Sequence, residues 1–391
     1  SSDLIDIMKI FKIFILQIVI GIIAMAYSGQ SDWSTMAVYD NKIPENIAVN
    51  EKYGEHPEVL DYVFVRARTA NMRELPSTSG KIIGKYPYDT KLIALEKVLN
   101  YGNLWFYVGD SKGNRGYVSA NVVRKRTFRF QKAMDKIVEL ENFMKEQRAL
   151  GREIASTNSY IPNPNNQNFK REKDKYGTTL DQSSIGTSVI NGEEIYIPDR
   201  SILSVIEKGK TTSRVKVANI PEELIVPNSS ISRNPKIQNE FFKVIAIDVS
   251  NQNMIVFEKN SEGIWEVISY VYSKTGIESK LGFETPKGFF ISPMAKYIMP
   301  YNSEIGEKEG YARFAIRFSG GGYLHGTPIN YDEEINKEFF MKQKERTLGT
   351  FTGTRKCIRT TEEQAKFLFD WIVSKPNKKY NEQRPDKNVM F

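Results

Sequence analysis

Cys357 is the only cysteine in this 391-residue chain, and His325 is one of two histidines. The other, His56, lies far upstream in a polar segment. A thiol attacks well at neutral pH only as thiolate, and an adjacent imidazole is its usual base. A lone cysteine and a histidine, apart in sequence but in one strand-rich stretch, make a candidate thiol acyl-transfer site. Arg355, Lys356 and Arg359 surround the cysteine with positive charge, which is expected to lower its pKa. The competing reading is a small buried hydrophobe at 357 and a satisfied core histidine at 325, since a lone cysteine is most often inert.

The neighbouring residues weigh against the bland reading. Thr285-Pro286-Lys287-Gly288 comes first, then Tyr323-Leu324-His325-Gly326-Thr327, then Leu348-Gly349, then Thr354-Arg355-Lys356-Cys357-Ile358-Arg359. In that order these motifs resemble the L,D-transpeptidase catalytic domain of bacterial cell-wall enzymes, over about residues 241–373. The resemblance implies Cys357 as nucleophile and His325 as its base, with the Gly326 carbonyl orienting the imidazole. It implies an oxyanion held by amides around Lys356 and Cys357. Thr354, Arg355 and Tyr323 would line the substrate site. Arg359 would bind a carboxylate of the peptide or brace the loop, tasks that suit its planar fork. No metal and no cofactor is implied. The partner implied is the peptidoglycan stem peptide.

Two features depart from the family pattern. Lys356 stands where the family usually has glycine, so a positive φ there would strain the lysine. The interval from His325 to Cys357 is long and carries a charged insertion, 331–346, expected to be a helix or a lid.

The elements that must position these residues are mainly strands. Apolar runs at 244–248, 253–257 and 264–268 predict a meander. Residues 311–318 alternate, with Phe314, Ile316 and Phe318 on one face and Arg313 and Arg317 on the other. Gly320-Gly321-Gly322 permits a tight path before His325. It is not a phosphate loop, since neither the following lysine nor the following helix is there. Thr361 with Gln364 predicts a capped helix whose apolar face is Ala365, Leu368, Phe369 and Ile372.

Upstream, short apolar runs between turns over 61–127 predict a small antiparallel barrel. Asn71-Met72-Arg73, Gly80-Lys81-Ile82-Ile83, Trp105 and Gly116-Tyr117-Val118 resemble a bacterial SH3-like domain. Trp105 and Tyr107 there are read as core in preference to a binding groove. The fold class is therefore mainly β: a small SH3-like barrel, a connector helix, and a C-terminal β-rich catalytic domain with a helix after the nucleophile.

The remaining segments follow from composition. Residues 1–26 read as a signal peptide or membrane anchor, with Ala24-Met25-Ala26 as a cleavage pattern. Residues 27–60 read as linker, 128–151 as the connector helix, and 152–185 as a flexible linker rich in Asn, Lys and Ser. A small β module or extension is expected at 186–235, the catalytic domain at 236–375, and a disordered tail at 376–391. A net charge of +8 spread among nearly as many acids suits an anionic envelope polymer, and the scatter argues against nucleic acid. Membrane contact is expected only through the N-terminal segment. One cysteine excludes an internal disulfide, and no Cys/His cluster has metal-ligand spacing.

The expectation is an exported, cysteine-dependent L,D-transpeptidase that cross-links or remodels peptidoglycan. Its rivals are an L,D-carboxypeptidase or protein-anchoring transpeptidase of the same fold, and a cell-wall-binding scaffold whose catalysis has lapsed. Lys356 is the argument for the last.

Overall fold

The computed structural model describes residues 33–391 except 54, 159–170, 233–236, 238–239, 304 and 387–388. The expected signal or anchor at 1–26 lies outside the described residues, as does the middle of the expected linker at 152–185. Among the described residues no helix is long and apolar enough to cross a membrane. The described residues divide into two compact units, one within 33–40 and 65–124, the other within 41–64 and 125–391.

The first unit is the small SH3-like barrel. Strands Ile82–Pro87, Thr69–Arg73, Arg115–Ser119, Asn103–Gly109 and Lys91–Asn100 neighbour one another in that order. Leu92, Ala94 and Val98 alternate inward along one strand and Trp105, Phe106 and Val108 come from the next, all buried. Trp105 is thus core, as its sequence setting suggests. Tyr107 is half-buried against Tyr117, with ring centroids 4.9 Å apart. Part of the expected linker at 27–60 is instead a strand, Ser34–Val38, which pairs with residues 96–99. Its backbone groups complete the edge of Lys91–Asn100, so pairing outweighs its unpromising composition.

In the second unit, β1 (Lys243–Asp248), β2 (Asn253–Lys259) and β3 (Trp265–Tyr272) form the predicted antiparallel meander. A second sheet holds β4 (Ala295–Asn302), β5 (Lys308–Ser319), β6 (Gly322–His325) and β7 (Ile358–Arg359). Three helices accompany them: α1 (Phe130–Ala149), α2 (Lys337–Arg346) and α3 (Glu362–Ile372).

The meander is buried on both faces, which is why β2 reads as the unbroken apolar run Met254-Ile255-Val256-Phe257. Ile245, Met254, Val256 and Ile268 point one way, into a core shared with Ile316, Phe318, Leu324 and Ile358 of the second sheet and Leu368, Phe369 and Ile372 of α3. Val244, Ile255, Phe257 and Val267 point the other way, onto Phe130, Ile137, Leu140 and Met144 of α1. The predicted connector helix is therefore structural, its apolar stripe covering the outer face of the meander.

Three other expectations need correction. The module expected at 186–235 begins at Glu153: strands Glu153–Ser156, Ile202–Lys208, Thr212–Val217, Glu223–Pro227, Ser183–Ser188 and Glu194–Pro198 form one antiparallel sheet. Its core of Leu203, Val215, Val217, Leu224 and Val226 explains why single short runs gave so weak a signal. The described ends of the expected flexible linker, 152–158 and 171–185, are therefore partly strand, because Ala155 is buried in that core and Ile154 in the cluster shared with α1 and the meander. The tail expected to be disordered also carries strands. Glu382–Gln383 pairs with β4, and Val389–Met390 runs parallel to β1.

Val389 and Met390 are fully buried. Burying two such side chains is worth about 3–6 kcal/mol, so a chain ending at Asp386 is expected to melt well below the full chain. An unchanged melting temperature on truncation would show that the terminal strand does not hold the meander.

Candidate active site

β5 ends in the turn Gly320-Gly321, where Gly321 has φ +64°, and the chain returns as β6. β6 then pairs in parallel with β7, Leu324 opposite Ile358 and His325 opposite Arg359. Leu324 and Ile358 face the core and are almost fully buried. Side chains alternate along a strand, so Tyr323, His325, Cys357 and Arg359 share the other face. Two residues far apart in sequence thus come to one side of one short ladder.

The Cys357 thiol is half-buried. Its sulfur lies 3.9 Å from the Gly321 carbonyl oxygen, and the Tyr323 amide faces it. The His325 ring is buried, with Nδ1 2.6 Å from the Gly326 carbonyl oxygen. A carbonyl oxygen only accepts, so Nδ1 carries the proton and Nε2 keeps a lone pair. Burial lowers the imidazole pKa to about 4; the Gly326 bond opposes this shift and the Arg359 charge adds to it.

The thiol does not follow the expectation drawn from its basic neighbours. Burial pushes it above its ordinary value, outweighing the Tyr323 amide and the charges of Lys356 and Arg359. Two of the three cations are also engaged elsewhere. Arg355 donates to the Asn302 carbonyl oxygen at 2.8 Å and lies 3.6 Å from Glu309. Lys356 turns inward to Asp181 at 2.7 Å. At neutral pH the thiol and the imidazole are therefore both uncharged.

Lys356 sits at φ +133°, the left-handed side that glycine favours. Such a backbone costs a non-glycine residue about 1–3 kcal/mol. The loop is held by the Thr285 hydroxyl, which donates to the Lys356 carbonyl oxygen at 2.7 Å and accepts from the Gly276 amide at 2.8 Å. Gly276 must be glycine, because a Cβ there would fall 2.7 Å from Lys356 Cα and 2.2 Å from the Phe283 carbonyl oxygen. Thr354 donates its hydroxyl proton to the Cys357 carbonyl oxygen. The Thr285-Pro286 motif thus reaches the cysteine loop from below.

Arg359 is half-buried, and among the described residues its Nε has no hydrogen-bond partner. Tyr323 is half-buried, with the Lys296 ammonium 5.9 Å from its ring centre. The charged insertion is helical, as expected: a 3-10 turn at Tyr331–Asn336 leads into α2. It docks beside the histidine loop, where the Thr327 hydroxyl donates to Glu345 at 2.7 Å and Lys344 to the Pro328 carbonyl oxygen at 2.9 Å. Thr361 caps α3 by accepting from the Gln364 amide at 3.2 Å. The Gln364 side chain does not return that bond; it accepts from Ser269 at 3.1 Å instead.

His56 is elsewhere, bonded to the Tyr270 hydroxyl and to Glu51, each at 2.9 Å. Among the described residues no group of three or more His, Cys, Asp or Glu is placed to hold a metal ion. Two contributors escaped the sequence reading, Asp181 against Lys356 and Gln182 against Gly320 and Gly321. They sit at the end of a polar stretch whose composition carries no signal.

Comparison with known proteins finds two families along the chain. Residues 68–124 match the bacterial SH3 domain, and residues 243–379 match the L,D-transpeptidase catalytic domain. Among solved structures, a fused zinc-dependent amidase/peptidase/peptidoglycan-binding domain-containing protein of Clostridium acetobutylicum is 15% identical over 38% of this chain, with a TM-score of 0.22. The match spans about half (49%) of that protein. No curated protein matches.

The folded imidazole stays neutral to about pH 4, whereas an unfolded one protonates near 6.5. Stability is therefore present above pH 6.5 and lost as pH falls from 6.5 to 4, by about 3 kcal/mol. In His325→Gln, unfolding free energies from urea titrations are expected to lack this slope; an identical slope would assign it to other groups. Iodoacetamide alkylation of Cys357 is expected to keep rising beyond pH 9, because its thiol pKa is raised. A plateau near neutrality would reveal a preformed thiolate.

Proposed function

From a chain that carries a bacterial SH3 domain followed by an L,D-transpeptidase catalytic domain, we propose an exported enzyme that remodels or cross-links peptidoglycan through a cysteine thioester. The observation that carries this reading is the parallel register of β6 and β7, which sets a part-exposed thiol and a tautomerically fixed imidazole on one strand face.

In the proposed cycle His325 Nε2 takes the thiol proton as Cys357 Sγ attacks the carbonyl carbon of a stem-peptide amide. An S–C bond forms, and the carbonyl electron pair moves onto oxygen. The amides around Lys356 and Cys357 receive that oxyanion. Collapse breaks the C–N bond, and the imidazolium returns its proton to the departing amine. An amine of a neighbouring stem then attacks the thioester, His325 takes its proton, and the thiol is released. Arg359, whose Nε has no partner among the described residues, is suited to holding a substrate carboxylate. Thr354 acts through the Cys357 carbonyl, while Tyr323 and Arg355 would meet the peptide beside the thiol. The SH3 domain would hold the enzyme on its polymer, outside the cytoplasm.

Cys357→Ala is expected to abolish the covalent adduct with a carbapenem, read by intact-protein mass spectrometry, while the circular dichroism spectrum stays that of the parent. An undiminished adduct in this variant would exclude Cys357 as the nucleophile.

A further inference from the structure

Lys356 poses a problem that neither its neighbours in sequence nor the catalytic domain alone resolves. It precedes the cysteine, holds φ +133°, and is itself buried. A long flexible side chain at such a point has every entropic reason to leave it. What retains it comes from outside residues 243–379. Asp181, also buried, meets the Lys356 ammonium at 2.7 Å, and the same ammonium donates to the Gly320 carbonyl oxygen. Gly320 leads into the turn whose next carbonyl, that of Gly321, faces the cysteine sulfur.

The segment bearing Asp181 is fastened at its other end to the same loop system. The Arg171 amide donates to Glu278 at 3.0 Å, and its guanidinium lies 4.1 Å from the Phe283 ring centre. Lys173 bridges Glu278 at 3.1 Å and Glu284 at 3.2 Å. That loop contains Thr285, whose hydroxyl bonds the Lys356 carbonyl, and Gly276, whose amide bonds that hydroxyl. Gln182 fills the space above Gly320 and Gly321, where a Cβ would come within 2.7 and 2.9 Å of its side chain. The stretch 171–182 therefore grips the cysteine loop from two sides.

We propose that Asp181 is a positioning residue for the reaction: by pairing with Lys356 it holds the positive-φ backbone that presents Cys357. Where the family carries a glycine, this chain carries a lysine held by an acid from the neighbouring β module. The catalytic unit is accordingly larger than its family match, extending upstream to include residues 171–182. The inference rests on Cys357 being the reactive residue.

The test is a double-mutant cycle in the full chain, with Asp181→Asn, Lys356→Gly and the pair. Two readouts are taken: the carbapenem acylation rate and the iodoacetamide alkylation rate of Cys357 at fixed pH. Asp181→Asn is expected to slow acylation at least tenfold and to change the alkylation rate severalfold. In the Lys356→Gly background the same substitution is expected to change either rate less than twofold, because glycine needs no partner to hold its φ. Equal losses in both backgrounds would mean that Asp181 acts through the fold at large and would overturn the proposal, as would a wild-type rate in Asp181→Asn. Should Asp181→Asn fail to fold, the double variant decides: it must fold and react as Lys356→Gly does. A parent chain that takes no carbapenem would sink the transpeptidase reading instead, and the alkylation cycle would still judge Asp181.

Discussion

The two-residue parallel ladder between β6 and β7 governs everything at the site. Parallel strands cannot be joined by a tight turn, so the chain must travel between them. Here the path from His325 to Cys357 passes through α2, which docks on the histidine loop through Thr327 and Glu345. The ladder is short, and two backbone pairs do not hold a site. What holds it is burial of Leu324 and Ile358 on the far side, against the meander and α3. The face that carries Cys357 and His325 is thus the back of a packed core.

Electrostatically the site is a low-dielectric one, despite the cations around it. Charge near a thiol lowers its pKa only if the charge is close and free to act. Arg355 is engaged with Glu309 and Asn302, and Lys356 with Asp181. Burial then dominates both reactive groups, raising the thiol and lowering the imidazole, so the neutral pair is the resting state. A fixed Nδ1–H to Gly326 defines which nitrogen carries the lone pair, the one that the proposed mechanism uses as base. That is preorganisation of direction more than of charge.

The catalytic domain is also less self-contained than its boundaries imply. Helix α1 seals one face of the meander, the terminal residues 389–390 extend it, and residues 171–182 press on the cysteine loop. Each segment lacks a core of its own, and each is ordered by surface that the domain would otherwise expose.

Much of this was legible in the residues. The meander, the alternation from 311 to 318, the cap at Thr361 and the apolar face of α3 follow from periods and caps that are local properties of the chain. The choice of Cys357 and His325 as the candidate pair is local too, because one thiol and two imidazoles leave few alternatives. The strain at Lys356 could be anticipated from its residue type; its remedy could not. An ion pair between positions 181 and 356 has no period or spacing to betray it, and the polar stretch around Asp181 reads as linker. The same holds for the tail and for Ser34–Val38, whose order comes from strand edges contributed elsewhere. The thiol pKa, too, was a tertiary outcome. Sequence lists the charges near a cysteine, but only packing decides which of them are already paired and how much water is gone.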